Sequence, residues 1–156
     1  MKMDNKSYKI IIDTNIWISF LIGKSLKGIH KHLDDEYFRI FTCQEQINEL
    51  IDVFQKPKIK KHLSLTQFEK FFDLFYDVTE LVQLSEVVDL CRDKKDNYLL
   101  SLAMSSDADY LITGDQDILV LDKISKTKII KFSDFDLPYK WKNHPLNIST
   151  PVNQIP

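Results

Sequence analysis

The sequence predicts an α/β fold of three layers, α/β/α, with a central, mainly parallel sheet. Short apolar runs alternate along the chain with stretches whose apolar residues recur at helical spacing. The first run, residues 8–12, is too short for a helix and apolar on both faces, which is typical of a central parallel strand. Strands that alternate with helices indicate a sheet covered by helices on both faces.

The first half of the chain contains two strand candidates and three helix candidates. Helical spacing predicts helices over residues 15–22 and 25–33, and a second apolar run predicts a strand over residues 38–42. The pattern TCQE, residues 42–45, predicts a capping box at the start of a third helix, and Pro57 is expected to close that helix.

The second half repeats the alternation. A helix is expected over residues 66–76, and its phenylalanine stripe predicts core packing: Phe68, Phe71, Phe72 and Phe75. Another helix is expected over residues 96–106. The remaining strand candidates are residues 78–83, 109–113 and 128–132.

Composition bounds the class of protein. A chain of 156 residues with 44% hydrophobic and 28% charged residues is long enough for one domain, expected over residues 1–137, with a polar tail over residues 138–156. No apolar run approaches the roughly 20 residues that span a bilayer, so no membrane partner is expected. The first residues lack the apolar segment of a signal peptide, which predicts a cytoplasmic protein. Cys43 and Cys91 lack CxxC spacing and are expected to be buried or idle thiols.

The net charge of −2 neither suggests nor excludes a polyanionic partner. Lysines cluster near residues 24–31, 56–61 and 140–142. Each cluster is more often a solvated surface than a binding site, although together they could form basic rims around an acidic centre.

Four acidic residues from separate stretches are candidates for one metal site: Asp13, Glu49, Asp96 and Asp115. Asp13 and Asp115 follow strand candidates, and ligands of open parallel sheets bind at the carboxyl ends of the strands. Carboxylates that converge repel one another, and a divalent cation keeps them ionised together. Alternatively, Asp115 is a plain helix N-cap.

Helical geometry treats the other two acids differently. Asp96 lies within about 60° of the apolar face of its helix, so it is expected to project toward the interior. Glu49 falls nearly opposite the apolar stripe of its helix and, taken alone, is expected to be solvated, with Asp52 as a rival.

Three segments carry a family resemblance: KIIIDTNIWIS, EQINELIDVFQKPK and CRDKKDNYLLSLAMSSDADYLITGDQDILVL. In this order and spacing they resemble the motifs of PIN domains, in particular the subgroup of toxins from bacterial toxin–antitoxin pairs. The resemblance covers roughly residues 8–135. It implies a parallel sheet of about five strands and nuclease activity on single-stranded RNA.

The resemblance also implies residue roles. Carried over onto this chain, it implies that Asp13, Glu49, Asp96 and Asp115 are catalytic and bind Mg²⁺ or Mn²⁺, with Asp117 as an additional acidic ligand. Asn15 and Thr113 are the expected polar companions, and Lys24 and Lys58 are expected to hold the RNA backbone. A small antitoxin protein and a homodimer are the implied partners.

Other classes of function remain open at this stage. The domain could be a non-catalytic RNA-binding or partner-binding module, although the complete acidic quartet speaks against that. It could also be a metal-dependent DNA nuclease or a phosphatase. A phosphatase of the haloacid dehalogenase type is disfavoured because Asn15 occupies the place of its second aspartate.

Overall fold

A mostly parallel sheet forms the centre of the protein. The computed structural model describes residues 7–22 and 38–134. Within them the strands are β1 Tyr8–Ile12, β2 Phe38–Thr42, β3 Thr79–Leu81, β4 Tyr110–Ile112, β5 Lys123–Ile124 and β6 Thr127–Ile130. The sheet has six strands in the order β3-β2-β1-β4-β6-β5. All neighbouring strands are parallel except β5 and β6.

Helices cover the sheet on both faces. The α-helices of the described residues are α1 Thr14–Ile22, α2 Gln44–Phe54, α3 Pro57–Lys60, α4 Leu65–Val78, α5 Asn97–Ser106 and α6 Gln116–Leu119. Two short 3-10 helices, Lys94–Asp96 and Phe132–Asp134, complete the described elements. The predicted α/β fold is confirmed, and every predicted strand is present with bounds shifted by a few residues. The predicted helix over 25–33 and the tail over 138–156 lie outside the described residues.

The side chains of β1 show why both faces of the sheet are covered. Ile10 and Ile12 join a core with Trp17 and the phenylalanines of α4, whereas Ile11 joins a second core with Leu100 of α5. Alternate strand residues point to opposite faces, so a strand that is apolar throughout must be buried on both. This arrangement leaves the carboxyl ends of the central strands as the place where polar side chains can gather.

The phenylalanine stripe of α4 is core, as predicted. Phe71 and Phe75 are fully buried, and both contact Trp17 at ring-centroid distances of 6.2 and 5.0 Å. Trp17 itself is fully buried, so its ring is not available to stack on a ligand.

The helix starts differ from two expectations. The predicted TCQE capping box is wrong: Cys43 is the N-cap of α2 and makes no side-chain capping bond. The hydroxyl of Thr42 instead donates to Oε1 of Gln46 (2.6 Å), whose Nε2 donates to the carbonyl of Ile12 (2.7 Å). Pro57 begins α3 and stands after the end of α2, as a helix-starting proline does. The buried Gln46 amide therefore ties α2 to the ends of β1 and β2.

An extended strap, residues 82–91, lies along α5. Asn97, Ser101 and Ser105 recur every four residues on one face of α5, and their side-chain oxygens accept hydrogen bonds from backbone N–H groups of the strap. The donors are Ser85 (2.9 Å), Val88 (3.1 Å) and Cys91 (2.8 Å). The strap ends at the turn that carries Asp96, so this polar stripe fixes where that turn begins.

Among the described residues, no helix has the length and apolar character needed to cross a membrane.

Candidate functional site

Asp13 stands at the exit of β1, between two strand ends. Its carboxylate is buried, with only 5% of the residue exposed. The Thr113 hydroxyl donates to Oδ2 (2.6 Å), and the Asn15 backbone N–H donates to Oδ1 (3.3 Å). The Asp13 backbone N–H donates to the Ile112 carbonyl (2.9 Å). The side chain of Asn15 is exposed, so this residue meets Asp13 through its backbone.

Asp115 follows β4 and is joined to Asp13 through Thr113. The backbone N–H of Asp115 donates to the Thr113 hydroxyl (3.0 Å), which itself donates to Asp13. Oδ1 of Asp115 accepts from the backbone N–H of Asp117 (2.9 Å), so Asp115 is the N-cap of α6. Asp115 is therefore an N-cap, as the alternative expected, through its Oδ1. The capping bond does not use Oδ2, so Asp115 can also interact with Asp96.

Asp96 forms an acid pair with Asp115. Burial raises the pKa of Asp96 to about 7, and the nearby charge of Asp115, a hydrogen bond with Asp115 and the charge of Asp13 act in the same direction. A carboxyl group with that pKa is partly protonated near neutral pH. Asp96 makes no side-chain capping bond; Asp93 caps the preceding 3-10 helix by accepting from the Lys95 backbone N–H (3.1 Å).

Glu49 faces the same group of acids, contrary to the expectation from helical geometry. It is half-buried, its charge helps raise the pKa of Asp13, and it accepts a hydrogen bond from the Tyr98 hydroxyl. Most of the face of α2 opposite the apolar stripe is exposed, but Glu49 contacts Tyr98, which lies on α5. Asp52, the rival, is exposed.

Tyr98 is a member of the site that the sequence analysis missed. Its hydroxyl lies 3.0 Å from the Thr14 hydroxyl and donates to Glu49. Burial and the charge of Glu49 raise the pKa of Tyr98, so the phenol stays protonated and remains a donor. The available signal was a tyrosine two positions after Asp96, the one aromatic residue in its helix.

Tyr98→Phe is expected to lower the free energy of unfolding by about 1–2 kcal/mol, because Thr14 is fully buried and loses its hydroxyl partner. Denaturant unfolding measures this loss. The matched control is Tyr76→Phe. Because Tyr76 is 54% exposed, loss of its hydroxyl should leave stability unchanged. Equal losses in both variants would contradict the buried hydrogen bond.

The acids interact through pairs. Burial is the main cause that raises the pKa of Asp13; hydrogen bonds from Thr113 and Asn15 lower it, and the charges of Glu49 and Asp115 raise it. Among residues 7–22 and 38–134, no three carboxyl, imidazole or thiol groups are spaced to enclose a metal ion. The four predicted acids are therefore close enough for their charges to shift pKa values within the group. Their side chains do not form a closed set of metal ligands.

The predicted cationic contacts differ in what the structure shows of them. Lys58 is exposed on α3, nine positions after Glu49 in the sequence. Lys24 lies outside the described residues. Nη1 of Arg92 lies 3.9 Å from Oδ1 of Asp117, at the rim of the acidic group.

Both cysteines are buried free thiols, as predicted. Burial is the main cause that raises the pKa of each thiol to about 11. The charges of Glu45 and Glu49 also raise the pKa of Cys43, and those of Asp96 and Asp115 also raise the pKa of Cys91. Thiols with so high a pKa are poor nucleophiles and poor metal ligands at neutral pH.

The fold and the acidic group at its strand ends define the class of protein. The chain belongs to the PIN-domain family, whose sequence model matches residues 9–117. This match runs from the second residue of β1 to the second residue of α6 and includes all five predicted acidic ligands.

Two proteins of different origin resemble the chain. It is 29% identical over 141 residues to the uncharacterized protein MJ1680 of Methanocaldococcus jannaschii, a match that covers 87% of this chain and 88% of that protein. Its fold is similar, with a TM-score of 0.50 and 15% identity, to a chain in the crystal structure of VapBC2 from Rickettsia felis bound to a DNA fragment from their promoter. That likeness covers 78% of this chain and 96% of the other, and at this identity it concerns the fold.

Proposed function

We propose that this protein is a divalent-metal-dependent endoribonuclease that hydrolyses phosphodiester bonds in single-stranded RNA. PIN domains are generally nucleases. The observation that carries the proposal is the group of acids near the carboxyl ends of β1 and β4, where the charges of Glu49 and Asp115 raise the pKa of Asp13 and the charges of Asp115 and Asp13 raise that of Asp96. Such coupling destabilises the ionised site unless a cation or a proton compensates for it.

The donor set fits Mg²⁺ or Mn²⁺. Carboxylate oxygens are the hard ligands that both ions prefer, and every proposed ligand is an acid: Asp13, Glu49, Asp96, Asp115 and Asp117. When bound, the ion supplies the positive charge that activates water and neutralises charge at phosphorus.

The protein's own groups orient and protonate the site. Thr113 holds one oxygen of Asp13 by donating to it, and Tyr98 does the same for Glu49, so both carboxylates are fixed in orientation. The Asp96–Asp115 pair, with the pKa of Asp96 at about 7, can hold or release a proton near neutral pH. Cleavage by attack of water is proposed to leave a 5′ phosphate and a 3′ hydroxyl.

Substrate contacts are proposed for residues around the acidic group. Asn15 has an exposed side chain and donates its backbone N–H to Asp13, and the buried Thr113 acts through Asp13. Lys58 and Lys24 are proposed to bind RNA phosphates farther from the cleaved bond, which gives salt-sensitive and sequence-tolerant binding.

The proposed biological role is that of the toxin of a toxin–antitoxin pair, acting in the cytoplasm as a homodimer and held by a small antitoxin protein. The motif resemblance and the fold likeness to VapBC2 support this role. A copurification of the chain with the product of a neighbouring short reading frame tests it.

The test of the proposed function is cleavage of a labelled single-stranded RNA by the purified protein. We expect cleavage with Mn²⁺ or Mg²⁺, none with EDTA, and products that carry a 5′ phosphate. Single-stranded DNA and a small phosphate ester are the parallel substrates. Cleavage of DNA alone favours a DNA nuclease, turnover of the ester alone favours a phosphatase, and RNA binding without turnover favours a binding module.

A further inference from the structure

The two arginines of the chain are held in opposite ways. Arg39 forms a two-point pair with Glu80: its Nε and Nη2 donate to the two carboxylate oxygens, both at 2.9 Å. Arg92 lies 3.9 Å from Asp117, longer than a hydrogen bond, and its side chain is 89% exposed. Its guanidinium thus keeps its donors available to a further group.

The backbone on both sides of Arg92 is fixed. Before it, the Cys91 N–H donates to Oδ1 of Asn97 (2.8 Å), and Cys91 is buried. After it, Asp93 caps the 3-10 helix, and the Asp96 N–H donates to the Asp93 carbonyl (3.0 Å). A long cationic side chain on a fixed backbone can reach a ligand without the ordering of a loop, which lowers the entropic cost of the contact.

The charge of the site makes such a contact necessary. An RNA phosphate that approaches Asp13, Asp96 and Asp115 meets like charge, which a nearby cation must offset. Guanidinium groups match phosphate oxygens in a two-point geometry that lysine does not offer. Arg92 is the arginine at this rim, whereas Arg39 lies near the amino end of β2, away from the strand exits.

We infer that Arg92 leaves Asp117 when substrate arrives and binds an RNA phosphate next to the cleaved bond. This inference rests on the proposed function and adds to it the positive group that positions the substrate over the acids. Arg92 is a substrate-positioning residue, so it acts on binding and has no role in proton transfer.

The experiment compares Arg92→Ala, Arg92→Lys and Arg39→Ala, of which the last removes the same charge away from the site. Binding of a short fluorescein-labelled single-stranded RNA is measured by anisotropy in EDTA over a range of salt concentrations. Arg92→Ala is expected to raise the Kd about tenfold and to reduce the slope of log K against log salt by about 0.7, the loss of one phosphate contact. Arg92→Lys should restore the slope and only part of the affinity. Arg39→Ala should match the wild type.

Cleavage kinetics and folding separate the outcomes. With Mn²⁺, Arg92→Ala should raise KM about tenfold and change kcat less than about threefold, with an unchanged melting temperature. If the wild type cleaves RNA and Arg92→Ala equals Arg39→Ala in KM and salt slope, the inference is wrong while the proposed function stands. If the wild type neither binds nor cleaves RNA, both fail.

Discussion

Asp13→Asn is expected to lower the rate of RNA cleavage about a thousandfold or more, because it removes the most buried oxygen ligand of the proposed ion. The asparagine keeps the shape of the side chain and can still accept from the Asn15 N–H. Single-turnover cleavage of labelled RNA with Mn²⁺ measures the effect.

The same substitution is expected to leave the melting temperature in EDTA unchanged or higher. Burial and the charges of Glu49 and Asp115 disfavour the ionised form of Asp13, as its raised pKa indicates, so a neutral side chain removes an unfavourable charge. A loss of activity with preserved or increased stability would distinguish a functional carboxylate from a structural one.

The control for Asp13→Asn is Asp73→Asn, which removes the same charge from an exposed position on α4. It should cleave RNA like the wild type. Cleavage by Asp13→Asn at the rate of this control would remove Asp13 from the site assignment.

The thermal stability of the metal-free protein is expected to fall as the pH rises toward and through neutrality. Asp96 has a pKa of about 7 in the folded protein against an ordinary value of 3.8, so between these values the folded state holds a proton that the unfolded state has lost. The corresponding stability is fully present below pH 3.8 and is lost as the pH rises through 7. The raised pKa of Asp13 acts in the same direction.

Asp96→Asn should flatten this pH dependence, because the amide is neutral throughout. Melting temperatures measured across the pH range in EDTA would show a weaker decline in the variant, and the variant should be the more stable protein at alkaline pH. Asp73→Asn should retain the decline of the wild type. A decline in Asp96→Asn as steep as in the wild type would contradict the acid pair.

Mn²⁺ provides the reverse test of the same pair. An ion that binds only the folded protein raises its stability, and ionised carboxylates bind it more tightly than protonated ones. The Mn²⁺-dependent increase in melting temperature should therefore grow with pH in the wild type and be smaller in Asp96→Asn. Equal increases in both proteins would place the ion elsewhere.

The strand ends could be predicted from the sequence because a short, wholly apolar run has few alternatives to a buried parallel strand. Ile11 and its neighbours are buried on two faces, and Asp13 and Asp115 follow directly from where such strands stop. The inward direction of Asp96 could be predicted because Asp96 lies within one helical turn of the apolar residues Leu99 and Leu100.

Glu49 was harder because a helical wheel gives direction but not environment. The wheel correctly placed Glu49 away from the stripe that contains Leu50, yet Glu49 contacts Tyr98 of α5 while its neighbours on that face are exposed. The contact joins residues 49 positions apart in sequence, since 98 minus 49 is 49. No local pattern carries such information, and the motif resemblance alone selected Glu49.

Two smaller misses have local causes. The strand β5 has two residues, too few for any periodicity, and it depends on a turn in which Ser125 adopts a φ of 51°. The TCQE pattern satisfied a capping rule, but Thr42 still belongs to β2, where its hydroxyl serves Gln46.

The polar stripe of α5 has a consequence for how the sequence of this protein can change. Asn97, Ser101 and Ser105 accept hydrogen bonds from the strap. On the same stretch, Asp96 belongs to the acidic group and Tyr98 donates to Glu49. An insertion of one residue would rotate everything beyond it by about 100° and separate these two sets of contacts. The spacing within α5 is therefore constrained more tightly than its composition, whereas the strap's outward positions, such as the 99% exposed Val87, are free to vary.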